Sequence, residues 1–242
     1  MKIKKFRDLT IIDMENKKLV IACDSSGAVG DKEFDIVKTE PEIVGYYATH
    51  VAMAEIISYG AKPIVVVNTL SVEMNNTGKK IINGIKKLLK EINIEENIIT
   101  GSTEENFPTV QTGIGVTIIG ITNKGIEFVS NKNDYCVAIG IPRVGEEVLK
   151  SRDIVTIKDI LKIRNLEFVH EMIPVGSKGI THEIKEIEKS GKYKFVFNKN
   201  IKIDLSKSAG PSTCVLVTLK KENIPELKKA ISLPVVEIGK LV

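Results

Sequence analysis

An α+β protein of two domains is predicted, on three observations. The chain has 242 residues, enough to bury one large core or two modest ones, and two fits ordinary domain sizes better. Up to about residue 122, short β-branched runs alternate with two helical patterns of different character. A polar break, Asn131-Lys132-Asn133-Asp134, then precedes a fresh apolar run, Tyr135 to Ile141. The first domain is therefore placed at residues 1–131, a small mixed sheet with two helices. The second, residues 132–242, is a compact α/β domain.

The elements follow in order. Leu19 to Cys23 reads as a short apolar strand that opens into Asp24-Ser25-Ser26-Gly27-Ala28-Val29-Gly30. An acid, two hydroxyls and two glycines make a loop where backbone can approach a ligand, although a plain polar turn explains the same residues. From Pro41 to Ser58 runs a helix that is apolar nearly all round, which marks a buried helix. Gly60 and Pro63 stop it, a flexible residue first and a helix-incompatible one after. Glu55 lies inside that helix, and a carboxylate there is costly unless a cation or hydrogen-bond donor meets it.

Pro63 to Leu70 is almost wholly apolar and reads as a strand covered on both faces. Gly78 to Ile92 is an amphipathic helix with Ile81, Ile82, Ile85, Leu88, Leu89 and Ile92 inward and its lysines on a solvated face. A second polar glycine loop, Thr100-Gly101-Ser102-Thr103-Glu104-Glu105-Asn106, leads to strands at Gln111–Thr122 and Gly125–Ser130. In the second domain, helices are expected at Thr156–Arg164, Thr181–Lys189 and Ile224–Ile231. Strands are expected at Tyr193–Phe197, Thr213–Leu219 and Val235–Ile238. Gly176-Ser177-Lys178-Gly179 forms a tight polar turn before the second of those helices.

Composition excludes several classes. Hydrophobic residues make up 43% and charged residues 27%, ordinary for a globular protein, and the net charge of +4 is spread along the chain. Without an arginine-rich stripe or an aromatic-basic motif, nucleic acid is not an expected partner. Cys23, Cys136 and Cys214 are isolated, so neither a disulfide framework nor a zinc site is suggested. No apolar run is long enough to cross a bilayer, and the first residues carry charge without an apolar signal region. A cytoplasmic protein with no membrane partner is expected. The Gly-x4-Gly-Lys-Ser/Thr phosphate loop does not occur.

The order of strand, Asp24 loop, buried helix with Glu55, Gly60-Ala61-Lys62-Pro63, strand, amphipathic helix and Gly101-Ser102-Thr103-Glu104 loop resembles the aminoimidazole ribonucleotide synthetase-like superfamily. That superfamily contains the PurM-type cyclo-ligase, thiamine-monophosphate kinase, selenophosphate synthetase and HypE. Cys23-Asp24 resembles its threonine-aspartate motif, and Glu55 stands at the spacing of its Asn/Ser-Asp motif. Ala209-Gly210-Pro211-Ser212-Thr213 is similar to a segment of its last domain. The chain departs in four places: Glu55 replaces an Asp, Ser102 occupies the glycine-loop acid position, the N-terminal Gly-Asp-Asp is reduced to Arg7-Asp8, and Lys178 replaces the Asp of Ser-Asp-Gly.

The resemblance implies a PurM-like fold whose N-terminal mixed sheet pairs in a homodimer, with a shortened C-terminal α/β domain. It implies ATP and Mg²⁺, with Asp24 and Glu55 as metal ligands and Glu105 or Asp8 completing the set. Glu104 is an alternative to Glu105. Ser102 and Thr103, the amides near Gly101, and Ser25 and Ser26 would contact phosphate. Lys178 would neutralise the γ-phosphate or leaving ADP and His182 would act as base, while a surface lysine in a turn and a structural histidine explain the same residues. His50 is expected in the core. Among the branches, the Gly-Ser-Thr-Glu-Glu-Asn version most resembles α-ribazole kinase, which implies a small nucleoside-like acceptor. A nucleotide-binding assembly protein without turnover and a cyclo-ligase-like activation of an amide or carbonyl are the alternatives.

Overall fold

Alternating apolar and polar residues over the first 27 positions build antiparallel strands. A computed structural model, which describes residues 1–123 and 130–242, shows them as β1 (Lys2–Phe6), β2 (Leu9–Met14) and β3 (Lys17–Gly27). Among the described residues the chain divides into two units, residues 1–57 with 61–123, and residues 58–60 with 130–242. In the first, β4 (Val29–Gly30) and β5 (Val37–Lys38) form a short parallel ladder. They are followed by α1 (Pro41–Ser58), β6 (Lys62–Leu70), α2 (Lys79–Glu91), β7 (Ile99–Thr103) and β8 (Gly113–Thr122). Among the described residues the sheet has six strands in the order β1-β2-β3-β8-β6-β7. Only the β6–β7 pair in it is parallel, so the sheet is mixed.

One face of this sheet is core. Val20, Ala22, Val66, Val116 and Ile118 are buried on it, and Gly120 sits beneath Ile56 of α1, whose Cγ2 would lie 2.9 Å from an added Cβ. Within α1, Val44, Ala48, Ala52, Met53, Ala54, Ile56 and Ile57 are buried, as expected of a helix apolar all round. His50 is buried beside Tyr46 and Tyr47, in the core position expected. α2 buries Ile81, Ile85, Leu88 and Leu89 and exposes Lys79, Lys80, Lys87 and Lys90. The two helices touch backbone to backbone, because Gly45 lies against Ile81 and Gly84 against Glu42.

The second unit holds β9 (Tyr135–Ile139), α3 (Glu146–Lys150), α4 (Ile157–Arg164), β10 (Val169–Pro174), α5 (Ile180–Gly191), β11 (Phe195–Phe197), β12 (Val215–Leu219), α6 (Ile224–Ala230) and β13 (Val235–Leu241). Its strands are ordered β10-β12-β9-β13-β11, with every neighbouring pair antiparallel. Ala138, Ile173, Ile184, Ile187, Leu216 and Ile238 are buried in its core. A capping box starts α4: Thr156 accepts from the Asp159 amide while the Asp159 carboxylate accepts from the Thr156 amide.

Two expected loops are strands. β3 continues through Asp24, Ser25, Ser26 and Gly27, each paired to β8, and Thr100–Thr103 pairs with β6. β1, β2, β10 and α3 add elements that the sequence pattern did not single out. The strand expected at Gly125–Ser130 falls on residues outside the described ones, Ser130 apart, and Ser130 itself is not in a strand.

Candidate functional site

Sheet register decides which candidate residues meet. Asp24 pairs with Val116, Val116 with Asn68 and Asn68 with Gly101, so Asp24 and Gly101 lie on one line across the sheet. The next two lines join Ser25 to Ser102 and Ser26 to Thr103 in the same way. All six residues are thus at one end of the sheet. Two strands separate the groups, however, and three strand spacings put them about 14 Å apart. They flank a region and do not converge on one phosphate. The β2–β3 register continues toward the β1–β2 turn, which places exposed Asp8 at the same end.

Three connections rise from this end, and carboxylates that the sequence did not mark tie them together. Glu73, between β6 and α2, receives Lys32 Nζ at 2.7 Å, the Thr109 amide at 2.6 Å and the Thr109 hydroxyl at 3.0 Å. Lys32, from the segment after β3, also donates to the Thr109 carbonyl at 3.0 Å. Asp35 is buried and accepts from the Lys32 amide and from both the amide and hydroxyl of Thr112, the last at 2.6 Å. Gly30 fits here because a Cβ would strike Thr112 Oγ1 and Asp35. Residues 28–38, 71–78 and 104–112 are therefore cross-linked by charge-assisted hydrogen bonds.

The Lys32 ammonium, followed by the Thr109 amide, holds the Glu73 carboxyl down at about 2. A depressed carboxyl stabilises the fold above its ordinary value of 4.5 and loses that contribution as pH falls toward 2. Glu73→Ala is expected to cost about 2 kcal/mol, the pair being part-buried and multiply bonded. Urea unfolding at pH 7 and at pH 3 checks this, the deficit shrinking at the lower pH.

The candidate acids have different surroundings. Asp24 is half-buried on the core side of β3, and burial, outweighing a hydrogen bond from the Ser25 backbone, lifts its carboxyl to about 6. A carboxylate that is costly to ionise is relieved by a nearby cation. Glu105 Oε1 instead accepts from the Met74 amide and the Thr103 hydroxyl, each at 2.8 Å. Glu104 accepts from the Asn106 amide at 2.7 Å, and hydrogen bonds from Asn106 lower its carboxyl. Glu55 is half-buried on α1 next to Ile56, which packs at the level of Gly120 and its partner Val20. Asp24 lies four residues further along β3.

Among the described residues no three acids, histidines or cysteines are grouped to hold a metal ion. The acids present fit a Mg²⁺ carried mainly by nucleotide phosphates, with Asp24 as a protein ligand. That is how Mg²⁺ is usually bound, through one or two carboxylates. They do not form a ready-made protein cage.

Gly101 has a structural reason to be glycine: a Cβ would sit 2.1 Å from the Asn68 carbonyl and 2.5 Å from its side chain. Asn68, buried, donates to the Thr100 carbonyl at 2.9 Å. Its position inside an apolar strand was a signal available in the sequence.

The second unit presents Lys178, exposed in the turn ahead of α5, and His182, half-buried on that helix's first turn. Gly179 adopts φ 76° and packs under residues 205–207, leaving no room for a Cβ. Buried Glu183 accepts weakly from the Gly176 amide, at 3.4 Å. Elsewhere in this unit His170 Nδ1 meets Asp134 at 2.7 Å, and Ser130 hydrogen-bonds both Glu171 and Thr218.

Residues 7–122 match the family described as AIR synthase related protein, N-terminal domain. Among curated proteins none matches the chain by sequence. The fold is PurM-like. It is similar to thiamine-monophosphate kinase from Stenotrophomonas maltophilia, at TM-score 0.70 and 15% identity over 99% of this chain and 88% of that one. It is also similar to AaThiL complexed with AMPPCP and TMP, at TM-score 0.65 and 16% identity over 97% and 84%. Escherichia coli HypE, a hydrogenase maturation protein, matches at TM-score 0.67 and 13% identity over 92% and 79%. Among the described residues no helix is long and apolar enough to cross a membrane.

Proposed function

We propose that this chain is a Mg-ATP-dependent kinase of a small nucleoside-like acceptor, with α-ribazole as the acceptor and cobamide salvage as the setting. The observation that carries the reading is Asp24, a burial-strained carboxylate beside Ser25 and Ser26, at one end of a sheet folded like that of thiamine-monophosphate kinases. Such a group suits phosphoryl transfer, where catalysis is mostly positioning and charge compensation. Bound Mg²⁺ would offset phosphate charge. Asp24 and Glu55 are assigned as its protein ligands, with Glu105 or Asp8 as a third.

Ser25, Ser26, Ser102 and Thr103, with the Gly101 backbone, are assigned to the phosphates. In the transfer itself the acceptor hydroxyl oxygen bonds the γ-phosphorus, the bond from that phosphorus to the β–γ bridging oxygen breaks, and ADP leaves. His182 takes the hydroxyl proton, and Lys178 balances charge on the leaving ADP. Lys178→Ala is expected to lower kcat at least 30-fold without moving the melting temperature, since the side chain is exposed; an unchanged rate would make it a surface lysine. A homodimer formed through the N-terminal sheet is part of the reading. Ile21, Ile119, Val65 and Val67 lie half-exposed on the face opposite the core, which supports it.

A second reading, nucleotide binding without turnover, is favoured by the engagement of Thr103 with Glu105. Mass analysis of α-ribazole and Mg-ATP after incubation separates the two: a kinase leaves phosphate on the ribazole, whereas a binding protein leaves both unchanged. Release of free phosphate would indicate cyclo-ligase-like activation.

A further inference from the structure

Backbone hydrogen bonds shape a cleft at one end of the second unit's sheet. Beyond β9 the Gly140 amide donates to the Pro234 carbonyl at 2.9 Å, and the Ile141 amide to the Asp153 carbonyl at 2.8 Å. The Val155 amide donates to the Thr213 carbonyl at 3.0 Å, which ties the segment after α3 to the residues leading into β12. The segments held together in this way wall an open cleft of about 520 Å³. That volume is within the roughly 300–1,000 Å³ of small-molecule sites.

The charged lining is Arg143, Lys150, Arg152 and Asp153, three cations against one carboxylate, and Ser151 and Ser232 add hydroxyls. Arg143 is mounted rigidly. Its backbone amide donates to the hydroxyl of buried Thr213 at 2.9 Å. Its guanidinium lies against Asp153, with Nε 3.2 Å from Oδ1 and Nη2 2.6 Å from Oδ2. A fork held along one edge is already ordered, and its Nη1–Nη2 edge can donate to a ligand. The nearby acids have partners of their own. Glu147 receives Lys207 Nζ at 2.7 Å. Glu146 meets Lys150 at 3.1 Å in an exposed pair, which costs little to exchange.

The net charge of the lining, three positive against one negative, suits a dianion. A phosphate monoester carries roughly −1.5 to −2 at pH 7, and its oxygens match an arginine fork. Nucleic acid would need a longer basic stripe, which Glu146 and Glu147 interrupt. Ile139 pairs with Val215 and Val215 with Pro174, so the cleft is at the same sheet end as the Lys178 turn, two strand spacings or about 10 Å to the side. No residue assigned above to ATP, Mg²⁺ or the acceptor lines it.

We propose that this cleft binds a small phosphate-bearing molecule, distinct from the nucleotide whose phosphate is transferred, with Arg143 and Arg152 holding the phosphate. Such a site needs no turnover, so it stands whether or not the chain is a kinase.

The test is amide NMR of the ¹⁵N-labelled full chain without divalent cations, titrated in turn with ribose 5-phosphate, orthophosphate and succinate. Both phosphates should shift the amides of Ile141, Arg143, Arg152 and Ser232, and the Arg143 Nε–H, in a saturable way. Succinate, a dianion without phosphate geometry, should bind at least tenfold more weakly. Arg152→Ala, at an exposed position, should weaken phosphate binding at least fivefold with an unchanged melting temperature. Arg143→Lys should weaken it at least tenfold, because an ammonium lacks the fork. Tighter binding of ribose 5-phosphate than of orthophosphate supports the site and makes its ligand an ester; equal binding supports it with free phosphate as the ligand. Shifts confined to Ser25, Ser26, Ser102 and Thr103 would overturn the cleft and leave the kinase reading in place. Absence of saturable shifts, succinate binding as tightly as phosphate, or unchanged affinity in both variants would overturn it too.

Discussion

Asp24→Asn is expected to give a protein that is more stable at pH 7.5 and inactive. The folded-state value of about 6, against an ordinary 3.8, means that the native chain binds the proton more tightly than the unfolded chain. This carboxyl's contribution to stability therefore falls as pH rises from about 4 to 6, and above that the buried charge is a net penalty. Asparagine keeps the shape and can accept the Ser25 amide without the charge. Asp24 retains some solvent contact, so the gain is on the order of 1–2 kcal/mol, a few degrees in melting temperature. Activity should fall by 10³-fold or more, because a neutral amide is a poor Mg²⁺ ligand. Calorimetry between pH 3.5 and 8 shows the sign: the variant's advantage should shrink as pH falls below about 6 and vanish only below about pH 4. A destabilised variant at pH 7.5, or one with near-wild-type turnover, would remove Asp24 from the site.

Gly84→Ala carries the largest expected loss of stability. On helix propensity alone the change should help by close to 1 kcal/mol, since glycine is a poor residue for a helix interior. Packing decides otherwise. The new Cβ would sit 1.9 Å from the Glu42 carbonyl oxygen and 2.7 Å from the Tyr46 amide, both backbone atoms of α1 that cannot turn aside. Relief requires the helices to part by more than an ångström, which loosens the packing of Ile81 and Ile85. The expected cost is about 3 kcal/mol or more. Gly45→Ala, whose Cβ would meet the Ile81 carbonyl at 2.0 Å, should behave alike. Urea unfolding checks both, and equal or greater stability in either variant would contradict the tight crossing.

Much of the fold was legible because hydrophobic period alone specifies it. The all-round apolar pattern of α1, the one-sided pattern of α2 and the β-branched runs of β6 and β8 each admit one reading. The tail of β3 misled for a physical reason. Asp24, Ser25, Ser26 and Gly27 have turn chemistry locally, and ten consecutive pairings with β8 override it. β10 was hidden because it carries His170, Glu171 and Pro174, and its buried acid is made tolerable by Ser130 and Thr218, which are distant in sequence.

At the site, sequence singled out Asp24, Ser25 and Ser26 at one sheet end and Ser102 and Thr103 at the same end. It could not show that two strands separate them. Asp35 and Glu73 were missed altogether. Their partners Thr112 and Thr109 lie 77 and 36 residues away, and each acid by itself looks like an ordinary loop residue.

The central claim is phosphoryl transfer to a nucleoside-like acceptor. It is tested most directly by incubating the protein with Mg-ATP and α-ribazole and following ADP and α-ribazole phosphate by mass. Equal amounts of the two products are expected, abolished by Asp24→Asn. ATP left intact with every acceptor offered, while Mg-AMPPCP still binds, would contradict it.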